Sequence, residues 1–444
     1  VSSATDQPAI EVRARDRRPA PVRGDQADIR YAVWEITLAC DLGCKHCGSR
    51  AGKARPDELT TEQCLDIVQQ LADVGCREVA LIGGEAYLRE DWDVIARTIV
   101  DSGMRCGMTT GARNLDAGRV ARAKAAGIDS FSISIDGLEA THDSIRGARG
   151  SWRSALEAVD RLRDAGITFG FNTHINRLSM PELPALADLL VEKGGIAWQV
   201  MITVAMGRAA DRPEMLLQPY DVLELMPLLA WLKASKLEPN KVELQAGNNI
   251  GYFGGYEKLI RVGGERGATW SPCTAGLHVL GLEADGKIKG CPSLPSNAYT
   301  GGNLKTQRIA DLINSAPQLT SLRQRTVDDL WGFCRGCEHA ESCLAGCTWT
   351  SHVLFGRPGN NPYCIHRAQQ FEAQGLRERL VRKTAAGGNP FDHGEFELVV
   401  EPCADVAAEA TIVGHRLVDI VAANASLASL STAEQRRAAL AKAR

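Results

Sequence analysis

The stretch YAVWEITLACDLGCKHC, Tyr31 to Cys47, decides how this chain reads. Its first seven residues are an apolar, aromatic and β-branched run, the pattern of a strand covered on both faces. Three cysteines follow at once, Cys40, Cys44 and Cys47, spaced C-x3-C-x2-C. A structural zinc site closes with four ligands. A chain that gathers three thiols at a strand end leaves one position open.

Working outward, the strand is the first of a β/α series. Residues 60–75, TTEQCLDIVQQLADVG, read as a helix with Thr60 and Gln63 as a capping box and Leu65, Val68, Leu71 and Ala72 as its apolar stripe. EVALIGG from Glu78 is the next strand. Helices are then expected over 92–102, 116–126, 152–165 and 181–193, and strands over 105–109, 130–135, 168–175 and 196–204. This α/β alternation predicts a partial (β/α)6 TIM-like barrel, with an open doubly wound sheet as the alternative. In such barrels the chemistry lies at the C-terminal strand ends. The polar motifs fall there: the cysteines, then Gly83-Gly84-Glu85, SISIDG (Ser132 to Gly137) and FNTHIN (Phe171 to Asn176). Taken singly, Ser134 and Asp136 are ordinary strand-end caps and His174 an ordinary packed histidine; their order along one barrel draws them together.

The 444 residues are 44% hydrophobic and 24% charged with a net charge of −3, so two or three domains and a real core are expected. No basic block suggests nucleic acid or an anionic membrane surface. No apolar run has a membrane-spanning length, and the charged N-terminus lacks a signal-peptide core, which points to the cytoplasm. In that reducing setting the 14 cysteines are thiols. Cys64, Cys76, Cys106 and Cys403 are isolated and read as small buried hydrophobes. A second group is dense: Cys273, Cys291, Cys334, Cys337, Cys343, Cys347 and Cys364. HVLGLEADGKIKGC, from His278, reads as a β-hairpin with Asp285-Gly286 as a type I′ turn, which returns Cys291 toward Cys273. His339 and His366 are expected to take surface or packing roles rather than ligate.

CDLGCKHC resembles the signature of the radical S-adenosylmethionine (radical SAM) enzymes, with His46 where that family usually has an aromatic residue. Gly83, Gly84 and Glu85 resemble its motif for the SAM amino group, with Ala86 in place of a frequent proline. Ser134 and Arg146 match positions that hold the SAM carboxylate. The resemblance implies a [4Fe–4S] cluster on Cys40, Cys44 and Cys47 whose free iron chelates SAM, and cleavage of SAM to a 5′-deoxyadenosyl radical. The seven later cysteines resemble the SPASM domain, implying two auxiliary [4Fe–4S] clusters; one or two zinc sites are the competing reading. The family pattern implies a crossed division, with Cys334, Cys337, Cys343 and Cys364 on one cluster and Cys273, Cys291 and Cys347 on the other. The fourth position of the latter would fall to substrate, solvent or His278. MGRA, Met206 to Ala209, is also similar to this group.

The expected organisation is a flexible tail over 1–29, a radical SAM barrel over 30–205, a connecting segment over 206–272, a SPASM domain over 273–366 and a mostly helical extension over 367–444. A helix is expected over 366–384 and a short strand at EFELVV. The loop GNNIGYFGGYEKLIRVGG (Gly247 to Gly264) either lines a substrate mouth or merely connects. The resemblance implies an oxidoreductase acting on a ribosomally made peptide, a maturase of the RiPP kind. With 39 residues before Cys40, a leader would be read by a separate partner protein, and electrons would come from a flavodoxin- or ferredoxin-type donor. The alternatives are a small-molecule oxidoreductase or decarboxylase of haem-pathway or aminosugar type, and a sulfatase-type maturase. Pro292 stands where the last would have a catalytic Asp.

Overall fold

A computed structural model describes residues 26–261, 270 and 272–403. Its strands are β1 (Tyr31–Glu35), β2 (Glu78–Ile82), β3 (Arg105–Thr110), β4 (Ser130–Ser134), β5 (Thr168–Ile175), β6 (Ala197–Ile202), β7 (Glu243–Ala246), β8 (Val279–Leu282), β9 (Lys287–Lys289), β10 (Gly302–Asn303), β11 (Leu376–Thr384) and β12 (Glu395–Pro402). The first ten make one sheet in the order β10-β9-β8-β1-β2-β3-β4-β5-β6-β7, and β11 pairs with β12. From β8 through β7 every neighbour is parallel; only the β8–β9 and β9–β10 pairings are antiparallel. The sheet does not close, so it is a partial barrel.

The strand pattern explains the layering. Trp34, Leu81, Ile133, Phe171 and Trp198 alternate toward the helices and are 2% exposed or less. Burial of each such side chain contributes roughly 1.5–3 kcal/mol. The helices Thr61–Asp73, Trp92–Asp101, Ala117–Ala126, Ser151–Asp164 and Leu183–Lys193 cover that face. The first begins at the expected capping box, Gln63 N to Thr60 Oγ1 at 3.3 Å and Thr60 N to Gln63 Oε1 at 2.9 Å. The opposite face carries small and polar residues, which leaves room inside.

Several expectations are corrected. Residues 206–272 do more than connect: they supply β7, whose four residues carry too little alternation to be read. The helix Glu139–Arg146 was not anticipated, because a two-turn element with one apolar anchor, Ile145, has no clear period. The helix expected over 366–384 stops at Glu372, and Leu376–Thr384 is strand β11 paired with β12. The Ala-rich end lies outside the described residues, as does most of the expected tail. At 27–29 the chain is packed instead: Asp28 N bonds Leu277 O at 2.9 Å, and Ile29 is buried. The hairpin exists, but its turn is not type I′. Glu283 N bonds Lys287 O, Gly286 N bonds Glu283 O, and only Gly286 has positive φ (+89°), a three-residue loop with a glycine bulge. No helix among the described residues is long and apolar enough to cross a membrane.

Candidate functional site

The cysteine loop leaves β1 and is held on three sides. Cys40 N to Gly52 O (3.0 Å) and Gly52 N to Leu38 O (3.1 Å) close its base. Arg208, in MGRA, donates from Nε to Cys44 O at 2.6 Å and from Nη1 to Ala51 O at 3.1 Å. Gly207 has φ +56°, and a Cβ there would lie 2.4 Å from Cys47 O. Only glycine lets this segment approach so closely. The third side comes from the residues after β12's partner strand: Phe391 N bonds Gly48 O at 3.1 Å, and Asp392 Oδ1 accepts from Arg50 Nε at 2.8 Å. Sequence reading found no motif in GGNPFDHG; its partners are hundreds of positions away, and no local pattern announces them.

Gly83 and Gly84 bring β2 against this loop. A Cβ on Gly84 would stand 2.2 Å from Ala39 O and 2.6 Å from Cys40 Cβ. Glu85 is thereby carried inside, 2% exposed. Its carboxylate accepts from the Thr110 hydroxyl and from Gly111 N (2.7 Å). Burial still pushes its pKa up to about 7. A buried carboxylate of this kind favours a cationic partner.

Arg146 ends the unanticipated helix. Its Nη1 lies 3.6 Å from Cys44 Sγ and its Nη2 2.7 Å from Asp136 Oδ2. His46 Nε2 reaches the same oxygen at 3.1 Å, and His174 N donates to Asp136 Oδ1 at 2.9 Å. Burial alone would raise the Asp136 pKa, but Arg146 and His46 hold it well below the usual carboxylate range. His174 packs edge-on to His46 at 5.3 Å, and burial lowers its pKa to about 4. Ser134 is half-buried at the end of β4, in register with Asn172, which is in register with Gln199 and that with Gln245. These four form one polar row across the inner wall. Asn172 Oδ1 is buried without a hydrogen-bond partner, an acceptor suited to a ligand.

The later cysteines fall into two sets. Cys291 has Cys273 and Cys347 as electrostatic neighbours, and Cys347 has Cys273. Cys343 has Cys364, Cys334 and Cys337. Tyr252, in the loop whose role was open, separates them. Its hydroxyl accepts from Cys347 N at 3.0 Å, and its carbonyl faces Cys364 Sγ at 3.6 Å. His278 belongs to neither set; its Nδ1 pairs with Asp28 O at 2.9 Å. Cys64, Cys76 and Cys106 are buried singly.

The described cysteine sulfurs are not drawn together at zinc spacing. On one tetrahedral zinc, sulfurs about 2.3 Å from the metal lie roughly 3.8 Å apart. Among the described residues, no three of the sulfurs are gathered within 4.8 Å of one another; Cys40 groups instead with Asp41 and Glu85. Burial pushes Cys291 and Cys337 up to about 12 and Cys347 to about 11. Thiolates there require the compensating charge of a metal group.

Comparison with known proteins agrees with this geometry. The family model of the radical SAM superfamily matches residues 34–190, and that of an iron–sulfur cluster-binding domain, SPASM, matches 273–338. The chain is 30% identical to an AdoMet-dependent heme synthase of Methanosarcina barkeri over 76% of this chain and 97% of that protein. It is 29% identical to the mycofactocin maturase MftC of Mycobacterium ulcerans, over 75% and 87%. Among solved structures, anSMEcpe with bound AdoMet aligns at TM-score 0.60 and 14% identity, covering 77% of this chain and 96% of that one. Streptococcus suis SuiB bound to the precursor peptide SuiA aligns at 0.57 and 16%, covering 76% and 75%. The chain belongs to the radical SAM superfamily, carries its SPASM-type cluster-binding domain, and is an enzyme whose cofactors are [4Fe–4S] clusters and S-adenosylmethionine.

Proposed function

We propose that this enzyme oxidatively modifies a ribosomally made peptide by hydrogen abstraction at the mouth of the partial barrel. In this reading Cys40, Cys44 and Cys47 hold the SAM-binding cluster. Bound there, cluster and SAM supply a one-electron cleavage that yields methionine and a hydrogen-abstracting 5′-deoxyadenosyl radical. Glu85 binds the SAM ammonium, for which its buried carboxylate is suited. Arg146, as a charge-assisted fork, and Ser134 bind the SAM carboxylate. Asp136 and His46 fix the Arg146 side chain from behind. The set Cys273, Cys291 and Cys347 and the set Cys334, Cys337, Cys343 and Cys364 would hold two auxiliary clusters, which would supply electron transfer with an external flavodoxin- or ferredoxin-type donor.

The observation that carries the substrate class is the row Ser134–Asn172–Gln199–Gln245. It is uncharged, rich in amides, and runs from half-buried Ser134 through buried Asn172 and half-buried Gln199 to exposed Gln245 on β7. Such a wall matches the alternating donors and acceptors of a peptide backbone better than the flat apolar face and acidic side chains of a tetrapyrrole. SuiB's precursor peptide and the maturase name of MftC support the same class. A leader-binding partner protein fits this reading. A second reading, a small-molecule substrate of haem type, is favoured by the 97% coverage of the M. barkeri heme synthase. The anaerobically reconstituted enzyme, given SAM, reductant and a short precursor peptide encoded beside its gene, should form 5′-deoxyadenosine and change the peptide's mass. Turnover on an iron porphyrin carboxylate, with the peptide inert, would reverse the assignment.

A further inference from the structure

The distance criterion that separates the cysteine sets from zinc singles out another group. The ligand atoms of Glu338, His339 and His366 all lie within 4.8 Å of one another. His339 Nε2 and His366 Nε2 stand 3.7 and 3.6 Å from the same oxygen, Glu338 Oε1. Those separations are too long for direct hydrogen bonds. They are near the roughly 3.4 Å between two nitrogen or oxygen ligands on one tetrahedral ion. The two imidazoles meet at 77°, with centroids 4.8 Å apart, so their nitrogens converge without the rings stacking on each other.

The supports are rigid. His339 stacks on Phe253 at 4.3 Å and 11°, and its side chain is 7% exposed. The His366 side chain is 14% exposed, while that of Glu338 is 42% exposed. The group is therefore preorganised from inside and open to solvent on one side. Glu338 and His339 follow Cys337 directly, and His366 stands two residues after Cys364. The group thus joins the two segments that close the cysteine knot. Surface or packing roles are the expectation for both histidines, and both make ring contacts, but packing does not require both Nε2 atoms to aim at one carboxylate oxygen.

We propose that Glu338, His339 and His366 bind one divalent cation of the zinc class, with two imidazoles, one carboxylate and solvent as ligands, at the solvent-facing Glu338 side of the knot. The ion staples the 337–339 segment to the 364–366 segment beside the cysteine knot, since His339 and His366 also line the cavity of Cys334, Cys337, Cys343 and Cys364. Two imidazoles and a carboxylate with an open position are an ordinary ligand set for such ions.

The test uses the anaerobically reconstituted holoenzyme titrated with Zn(II), then desalted and analysed for both metals. About one zinc per chain should be retained above the iron, and zinc absorption spectroscopy should show nitrogen and oxygen neighbours without sulfur. The double variant Glu338→Gln/His366→Gln should bind zinc at least about tenfold more weakly at unchanged iron content. If that variant loses iron, Glu338→Gln alone, isosteric and half-exposed, replaces it. Failure to retain zinc, a sulfur shell around it, or equal zinc affinity in an iron-replete variant would overturn the proposal.

Discussion

Asp136 shows how little of a site need touch the ligand. It is fully buried and gathers Arg146, His46 and the His174 amide. In the proposed site this leaves Arg146 oriented before SAM arrives. Arg146→Ala should weaken SAM binding by roughly one to two orders of magnitude, since a charged hydrogen-bonding group contributes about 1.5–3 kcal/mol. Calorimetric titration of the reconstituted protein measures this, and unchanged affinity would reduce Arg146 to a partner of Asp136. His352 offers a pH test. Burial, then His393, lowers its pKa from 6.5 to about 4, and Tyr299 OH lies 3.0 Å from its Nδ1. As pH falls, the unfolded chain takes up this proton first. The stability of neutral His352 is therefore complete above pH 6.5 and is lost between 6.5 and about 4, at no more than about 3 kcal/mol. In melting curves across that window His352→Phe should fall less steeply than the wild type; parallel curves would contradict the assignment. His46 stood out in the sequence only as a departure from an aromatic position. Its reach to Asp136 depends on a helix, Glu139–Arg146, that the sequence did not disclose.

Elements were legible where their pattern was long or their turn chemistry specific. The five long helices and six principal strands follow from apolar periodicity, and the hairpin from Asp285-Gly286. β11 was not legible because LRERLVRKT is rich in helix formers, and only its pairing with β12 decides its state. The clasp of 387–394 on the cysteine loop was invisible for a related reason: Arg50 and Asp392 are 342 residues apart. The two cysteine sets give a prediction at this scale. If Tyr252 separates two clusters, Cys347→Ser and Cys364→Ser should each remove about four irons, and the double variant about eight. Iron analysis of the three proteins measures this. A double variant that loses only four would place both cysteines on one cluster.

At the scale of the whole molecule, barrel and cluster domain share one sheet. β8 extends β1 in parallel register from Tyr31↔Val279 to Trp34↔Leu282. At that seam Arg55 pairs with Glu35 at 2.9 Å and Glu283 at 3.4 Å, and Lys289, fully buried, pairs with Glu283 at 2.6 Å. A buried network broken on one side costs about 3–5 kcal/mol, so Lys289→Met should lower the melting temperature of the whole protein in one transition. Two separate transitions would mean that the barrel and cluster domain unfold independently.

The account rests on a division of labour among ten cysteines, three for SAM and seven for auxiliary clusters. Replacing Cys40, Cys44 and Cys47 together by Ala, then measuring iron and 5′-deoxyadenosine in the reconstituted protein, tests it most directly. Iron should fall from about 12 to about 8 per chain, and 5′-deoxyadenosine should not form. Undiminished 5′-deoxyadenosine from that variant would contradict the account.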